Sequence, residues 1–186
     1  MTGTRNAGWI AITLLLAALA GCSQSPQAAR EAAARLTAKG DLDGALLELK
    51  SAAQRAPDDA GLRAALGGLY NTRFDAPAAI KEFTRARELG MAGDPAVALG
   101  LAQALRRLGK FSELLKTVPI LDQWPAPMRG EVRALRGRAQ HALGDPAGAA
   151  KTLELARSEA PDGVEAGLLA AQIAAGRHDF AGALAG

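Results

Sequence analysis

The chain has 186 residues, of which 49% are hydrophobic and 22% are charged, a balance that excludes an intrinsically disordered protein and supplies enough apolar side chains for a core. Its 22 Lys and Arg residues against 19 Asp and Glu residues leave a net charge of +3 with no block of like charge, so the composition does not indicate a nucleic-acid partner. Ala and Leu dominate the apolar residues, and because both favour helices, the composition predicts an all-α protein.

Residues 1–21 have the pattern of a targeting segment. Arg5 is the one charged residue before an apolar stretch from Gly8 to Ala20, which is shorter than the roughly 20 residues that a membrane-spanning helix needs. The segment ends in Leu-Ala-Gly-Cys at residues 19–22, which resembles the lipobox of bacterial lipoproteins. The resemblance implies that residues 1–21 are a lipoprotein signal peptide and that Cys22 carries lipid as the mature N-terminus. The alternative is an ordinary secretory signal followed by an unrelated cysteine.

The lipobox resemblance also implies a location for the protein. Lipid chains on Cys22 anchor durably because each buried methylene contributes about 0.8 kcal/mol. We therefore expect a protein that is anchored to the cell membrane, faces the periplasm and is joined to its anchor by a short tether at residues 22–27. Ser23 stands where lipoproteins retained in the inner membrane commonly carry Asp, which favours the outer membrane over the inner one.

Beyond the tether, the sequence repeats with a period of 34 or 35 residues. The stretch GDLDGALLELKSAAQRAP at 40–57 is echoed by GDPAGAAKTLELARSEAP at 144–161. One column recurs at spacings of 34, 35, 35 and 34 residues: Ala45, Ala79, Leu114, Ala149 and Ala183. Such a period is typical of solenoids. It divides residues 26–186 into units at 26–59, 60–94, 95–129, 130–163 and an incomplete 164–186.

Each unit has the pattern of two amphipathic helices joined by a tight turn. In the second unit, one helical face carries Leu62, Leu66, Leu69 and Tyr70, and a second carries Ala79, Ile80, Phe83, Ala86 and Arg87. Gly40, Gly109 and Gly144 stand at the turns, where a helix end is followed by left-handed backbone. Small residues recur where the two helices cross and allow close approach: Ala33, Gly67, Ala102, Gly137 and Ala171.

These units resemble tetratricopeptide (TPR) repeats. The family's signature is matched in the second unit by Leu66, Gly67, Tyr70, Ala79, Phe83 and Ala86. The resemblance covers about residues 26–186 and implies a right-handed solenoid of helix-turn-helix units, with about four and a half repeats. The fourth unit departs from the pattern because Arg136, Gln140 and Pro146 occupy columns that are apolar elsewhere.

The third unit also departs from the pattern, since Pro119 interrupts its second helix. We expect the stretch VPILDQWPAP at 118–127 to bend the array, with Trp124 packed in the joint. The alternative is that Trp124 stacks on a ligand.

The lipobox, the tether and the repeats are together similar to the TPR lipoproteins associated with exosortase and PEP-CTERM protein sorting. The similarity includes LGLAQALRRLGKFSELLKTVPIL at 99–121 and ALRGRAQHALGDPAGAAKTLELA at 134–156, and it concerns the N-terminal part of those long proteins. It implies an accessory role in envelope sorting or exopolysaccharide export. The alternative is a structural role in the co-assembly of pilus or outer-membrane machinery.

No pattern in the sequence indicates catalysis, a cofactor or a metal. The two histidines, His141 and His178, and the single cysteine form no triad and no metal-ligand spacing, and there is no glycine-rich phosphate loop. His178 occupies a turn position that is glycine in other units, so we expect a surface turn there. Two aspartate pairs lie beside helix starts, which predicts capping: Asp41 with Asp43, and Asp58 with Asp59.

The first helices of stacked units are expected to line a concave face. By helical phase, the side chains that point into it are Arg30, Asn71, Gln103, Arg106, Arg107, Arg138, His141 and Gln172. The third and fourth units thus form a basic patch that suits acidic groups of a peptide or a polysaccharide.

We therefore predict a protein or peptide partner in the envelope, or an acidic polymer, with Arg106, Arg107 and Arg138 as contacts. The alternative is that these arginines are the solvated face of Ala-rich helices. Gly68 stands where TPR proteins that bind chaperone tails use Lys or Asn, so that activity is not indicated.

Overall fold

The computed structural model describes residues 25–184, with side chains described as far as Gly176. The targeting segment and residues 22–24 of the tether, including Cys22, lie outside the described residues, as does the side chain of Ala183. Within the described range, all regular elements are helices: α1 (Pro26–Ala38), α2 (Leu42–Arg55), α3 (Ala60–Thr72), α4 (Ala76–Ala86), α5 (Pro95–Arg107), α6 (Phe111–Thr117), α7 (Ala126–Ala142), α8 (Pro146–Glu159) and α9 (Val164–Leu184). A π-type turn, Arg87–Met91, extends α4. None of these helices has the length and apolar character needed to span a bilayer.

The helices form two layers. Helices α1, α3, α5, α7 and α9 contact one another in succession and make the inner layer. Helices α2, α4, α6 and α8 make the outer layer, and each contacts the inner helix before it and the inner helix after it. The repeating column packs between the layers, since Ala45, Ala79, Leu114 and Ala149 are all fully buried.

Left-handed residues form the tight turns between paired helices. Gly40, Gly109 and Gly144 have φ values of 80°, 67° and 85°, which confirms the predicted turn glycines. In the second unit the same position is Phe74, with a φ of 61°. Left-handed backbone is sterically costly for any residue with a β-carbon, so this turn is strained.

The two aspartate pairs form helix caps and ion pairs. Asp41 and Asp59 each accept a hydrogen bond from the backbone N–H three residues later, at 2.9 and 2.7 Å, so they cap α2 and α3 as predicted. Asp43 and Asp58 instead form ion pairs with arginines of the second unit. Neither pair is arranged for acid-base chemistry.

Glycines allow α3 and α5 to close around Phe83. The Phe83 ring, which α4 contributes, is 3% exposed. A β-carbon added to Gly67 on α3 would lie 2.8 Å from Cδ1 of this ring, and one added to Gly100 on α5 would overlap its Cζ. The close approach predicted for Gly67 is confirmed, and Gly100 makes an equivalent contact from the next unit.

The second helix of the third unit is interrupted as predicted, and we call the irregular segment that follows it, residues 118–125, the joint. Helix α6 has only seven residues, and Val118 is extended because the ring of Pro119 disfavours helical backbone in the residue before it. Trp124 follows in the irregular segment, is 4% exposed and donates from Nε1 to the Gly93 carbonyl at 2.7 Å. Trp124 therefore packs in the joint as predicted, and its burial leaves no open ring face for stacking on a ligand.

Arg136 satisfies the backbone of the interrupted helix. Its Nη1 donates to the carbonyl oxygens of Leu115 and Val118 at 2.9 and 2.6 Å, and these carbonyls lie where α6 ends. Burial lowers the pKa of Arg136. Gln140 also has an internal partner, because its Oε1 accepts from Thr152 Oγ1 at 2.7 Å. Polar residues of the fourth unit thus replace apolar ones where they find hydrogen-bond partners.

Helix α7 begins at Ala126, four residues before the start of the fourth unit at 130. Its first turns carry Arg129 and Arg133, which both form ion pairs with Glu159 at the end of α8, at 3.0 and 2.8 Å. Hydrogen bonds from Arg133, and then from Arg129, hold the pKa of Glu159 below its ordinary value. These ion pairs join α7 to α8 beside the joint.

The fifth unit does not turn. Helix α9 runs without a break from Val164 to Leu184, so the turn expected at His178 is absent from its backbone. A histidine lacks the freedom of glycine to adopt left-handed backbone, and a continued helix keeps its backbone hydrogen bonds. Ala171 is exposed, because no second helix of this unit covers it within residues 164–184.

Candidate binding groove

The inner layer contains a cavity of about 460 Å³ between α3 and α5. Three of the predicted residues line it, namely Asn71, Gln103 and Arg107. Gly68 opens the cavity, since a β-carbon added there would meet nothing within 4 Å. The remaining wall is mostly apolar and includes Ala64, Val97 and Leu99. We call this the α3–α5 cavity.

Asn71 is the buried polar side chain of this cavity, with 7% of its surface exposed. Its Nδ2 donates to the Gly100 carbonyl at 2.8 Å, which links α3 to α5. This bond identifies the other amide atom as Oδ1, which accepts no hydrogen bond from any described residue. A buried acceptor without a donor is unfavourable, so a shift of the Asn71 side chain that let Oδ1 accept from a ligand N–H in the cavity would be favourable.

Arg107 is held at the rim of the cavity. Its Nη1 donates to the backbone carbonyl of Asn71 at 2.6 Å, so it caps the last turn of α3. Its guanidinium lies 4.5 Å from the centroid of the Phe74 ring, a cation–π contact. Phe74 is 78% exposed and is not among the site residues predicted from the sequence. The signal in the sequence is a bulky residue at a turn position that other units fill with glycine.

We expect Phe74→Gly to be more stable than Phe74→Ala by about 1 kcal/mol, because only glycine adopts a φ of 61° without steric strain. Both variants lack the ring, so the difference isolates the backbone strain. Gly68→Ala is the matched control at an ordinary helical position, where alanine should be the more stable residue. Urea unfolding measures all three variants, and an alanine variant at 74 as stable as the glycine one would contradict the prediction.

A charged cluster lies further along the groove, between α5, α7 and α9. Arg138 on α7 forms an ion pair with Glu165 on α9 and donates from Nε to Gln172 Oε1 at 2.8 Å. The side chains of Arg138 and Glu165 are only 13% and 12% exposed. The charge of Arg138 is therefore already compensated by Glu165. Helical phase does not place Glu165 among the predicted groove residues.

Arg106 lies beside this ion pair and is half-buried. It makes no hydrogen bond to any residue in the described part of the chain, and its Nε is buried without an acceptor. Burial lowers the pKa of Arg106, the positive charge of Arg138 lowers it further, and Glu165 acts in the opposite direction. The partly buried arginines of α7 all have acceptors: Arg129, Arg133, Arg136 and Arg138.

The other predicted residues lie elsewhere. His141 lines a separate, largely apolar cavity of about 600 Å³ between α7, α8 and α9, together with Ile173 and Gly176. Arg30 donates to Gln27 Oε1 at 2.7 Å near the start of the array. The predicted set is thus divided among the α3–α5 cavity, the Arg106 cluster and the cavity beside α9, and Arg30 lies apart from all three on α1. Among the described side chains, no three His, Cys, Asp or Glu residues cluster as a metal site.

Solved structures with similar architecture establish the fold. MamA, from residue 41 to its end, from Desulfovibrio magneticus RS-1 matches with a TM-score of 0.65 and 16% identity, over 77% of this chain and 80% of that one. A tetratricopeptide repeat protein from Parabacteroides merdae ATCC 43184 matches with a TM-score of 0.65 and 22% identity, over 85% of this chain. The chain has a TPR solenoid fold.

The TPR fold predicted from the sequence is therefore confirmed. A double mutant of MamA RS-1 matches with a TM-score of 0.64 and 15% identity, over 85% of this chain and 97% of that one. The chain spans 62% of the length of the Parabacteroides merdae protein. No protein-family model and no curated protein sequence matches this TPR chain.

Proposed function

We propose that this chain is a lipid-anchored TPR scaffold that binds an extended segment of a protein partner in its concave groove. The observation that carries the proposal is the α3–α5 cavity, which is lined by Asn71, a residue whose buried Oδ1 has no donor from the described residues. A peptide backbone supplies N–H donors at regular intervals, and one of them can satisfy this oxygen.

The size and lining of the cavity also suit a peptide. Its volume of about 460 Å³ lies in the range of ligand pockets, which are mostly apolar with a few placed polar groups. Ala64, Val97 and Leu99 accept an apolar side chain of the segment, while Asn71 and Gln103 bind its backbone. Arg107 is already occupied by α3 and Phe74, so it shapes the rim of the cavity.

The lipobox resemblance at residues 19–22 supports a location at the cell envelope. Lipid on Cys22 anchors the solenoid, and the tether residues that precede α1 separate it from the membrane surface. The similarity to TPR lipoproteins of exosortase and PEP-CTERM systems supports an accessory role in envelope sorting or exopolysaccharide export. The intact mass of membrane-extracted protein should begin at an acylated Cys22, and Cys22→Ala should appear unmodified. An unmodified wild-type mass in the soluble fraction would overturn the anchor.

A selected peptide tests groove binding. Dodecapeptides from a random phage-displayed library are selected on the full chain, and the affinity of one selected peptide is measured by fluorescence anisotropy. The β-carbon of Gly68→Leu would meet nothing within 4 Å, and its side chain would occupy the cavity that Gly68 lines, so we expect binding to weaken by about tenfold or more.

Gly167→Leu is the matched control, because Gly167 is also an exposed helical glycine whose added β-carbon would meet nothing within 4 Å, and it does not line the cavity. This variant should bind as the wild type does. Circular dichroism establishes that both variants are folded. Equal affinity of the Gly68→Leu variant and the wild type would refute the groove as the binding site.

A further inference from the structure

The charges around Arg106 are unbalanced. Arg106, Arg107 and Arg138 contribute three positive charges to this part of the groove, and Glu165 contributes one negative charge. Glu165 forms its ion pair with Arg138, and Arg107 donates to a backbone carbonyl. Neither Arg106 nor Arg107 has a carboxylate partner within the described residues, and Arg106 is the one of the three arginines that also has no hydrogen-bond acceptor there.

Among the side chains that the structure describes on α5, α7 and α9, no other carboxylate is free to serve Arg106. Asp94 lies at the opposite end of α5, where it accepts hydrogen bonds from two backbone N–H groups. Glu131 on α7 accepts from the backbone N–H of Glu165. A half-buried guanidinium with neither full hydration nor an acceptor is unfavourable, and a carboxylate from outside relieves it through charge-assisted, bidentate hydrogen bonds.

We infer that Arg106 binds the carboxylate of one Asp or Glu side chain in the groove-bound segment. The segment binds through one acidic side chain here and not two. Glu165 already forms an ion pair with Arg138, and its negative charge repels a second acidic side chain. The inference deepens the proposed function and rests on it, since it names the chemistry of the partner in the same groove.

The repeat predicts where the acidic residue stands in the bound segment. Asn71 and Arg106 are equivalent positions of adjacent units, 35 residues apart in the sequence. Adjacent packed helices lie about 8–10 Å apart, and an extended peptide advances about 3.4 Å per residue. The acidic residue therefore lies about three positions from the residue whose N–H donates to Asn71.

Peptide selection tests the inference and does not require the natural partner. Dodecapeptides selected on the full chain should share a single Asp or Glu at one position. Selection on Arg106→Gln should lose this preference, and selection on Arg106→Glu should replace it with Lys or Arg. Arg157→Gln is the matched control, because Arg157 is an exposed arginine on the outer helix α8, and it should retain the acidic preference.

A double-mutant cycle measures the contact directly. For one selected peptide, Arg106→Gln and the replacement of the peptide's acidic residue by its amide should each weaken binding by about tenfold. The two changes together should weaken it no further than either alone.

The two proposals fail in different ways. Selected peptides without an acidic preference, or a preference that survives in Arg106→Gln, would overturn the carboxylate site while binding remains sensitive to Gly68→Leu. If Gly68→Leu leaves the affinity for the selected peptide unchanged, or if no peptide can be selected, the proposed function is overturned and this inference with it.

Discussion

Phe83→Ala is expected to lower the free energy of unfolding by about 3–5 kcal/mol, the usual range for truncating a buried aromatic side chain. The ring fills the space that Gly67 and Gly100 leave between α3 and α5. Neither glycine has a side chain that can move into the cavity, so little of the lost contact is recovered. The effect is a large fraction of the stability of a typical domain.

Two glycine substitutions serve as controls for this prediction. Gly100→Ala should destabilise the protein, because its β-carbon would overlap the Phe83 ring. Gly68→Ala, on the same layer of helices, meets nothing within 4 Å and should stabilise α3 by about 0.5–1 kcal/mol. Urea unfolding followed by circular dichroism measures all three variants. A loss below about 1 kcal/mol for Phe83→Ala would mean that the ring does not hold this interface together.

Trp124→Ala is expected to have an effect of similar size, about 3–5 kcal/mol, because it removes the largest side chain of the joint. Trp124 also ties the joint to the preceding unit through its hydrogen bond to the Gly93 carbonyl. Trp124→Phe keeps an aromatic ring and loses this bond, so we expect a smaller loss of about 1–2 kcal/mol.

A second measurement distinguishes a local effect from a loss of coupling along the array. In a solenoid, each unit is stabilised by its interfaces with the neighbouring units. A weakened joint therefore lets the helices before it and the helices after it unfold separately. Amide hydrogen exchange of Trp124→Ala should then show different opening free energies for α1–α4 and for α7–α8, whereas the wild type opens more uniformly. A uniform loss across both groups would assign the effect to global destabilisation alone.

The periodic features of the fold could be predicted because they depend on local backbone preference and on burial. The column through Ala45 and Ala79 is buried as its spacing requires, and Gly40, Gly109 and Gly144 adopt the predicted left-handed turns. The turn expected at His178 depends on spacing alone, and α9 continues through it. A turn without glycine needs helices on both sides that pack against each other, as α3 and α4 do around Phe74.

The candidate site could be predicted only in part. Helical phase places Asn71, Gln103 and Arg107 on one surface, and the structure brings them to one cavity. Helical phase could not identify the ion pair of Arg138 with Glu165, because the two residues are 27 positions apart on different helices. Long side chains choose their partners by rotamer and distance, so phase identifies the face of a helix and leaves the pairing open.

The ring between two glycines also restricts which unit can stack on the second unit. In a chain of similar units, each unit could in principle stack on a neighbour that is one period away from the correct one, which is a characteristic route to misfolding. The position of Gly100 is occupied by Ala65 in the second unit and by Leu135 in the fourth, each 35 residues away. Since even a β-carbon there meets Phe83, the second unit fits well only against the third. One aromatic ring thus specifies the correct neighbour at this junction of a repetitive chain.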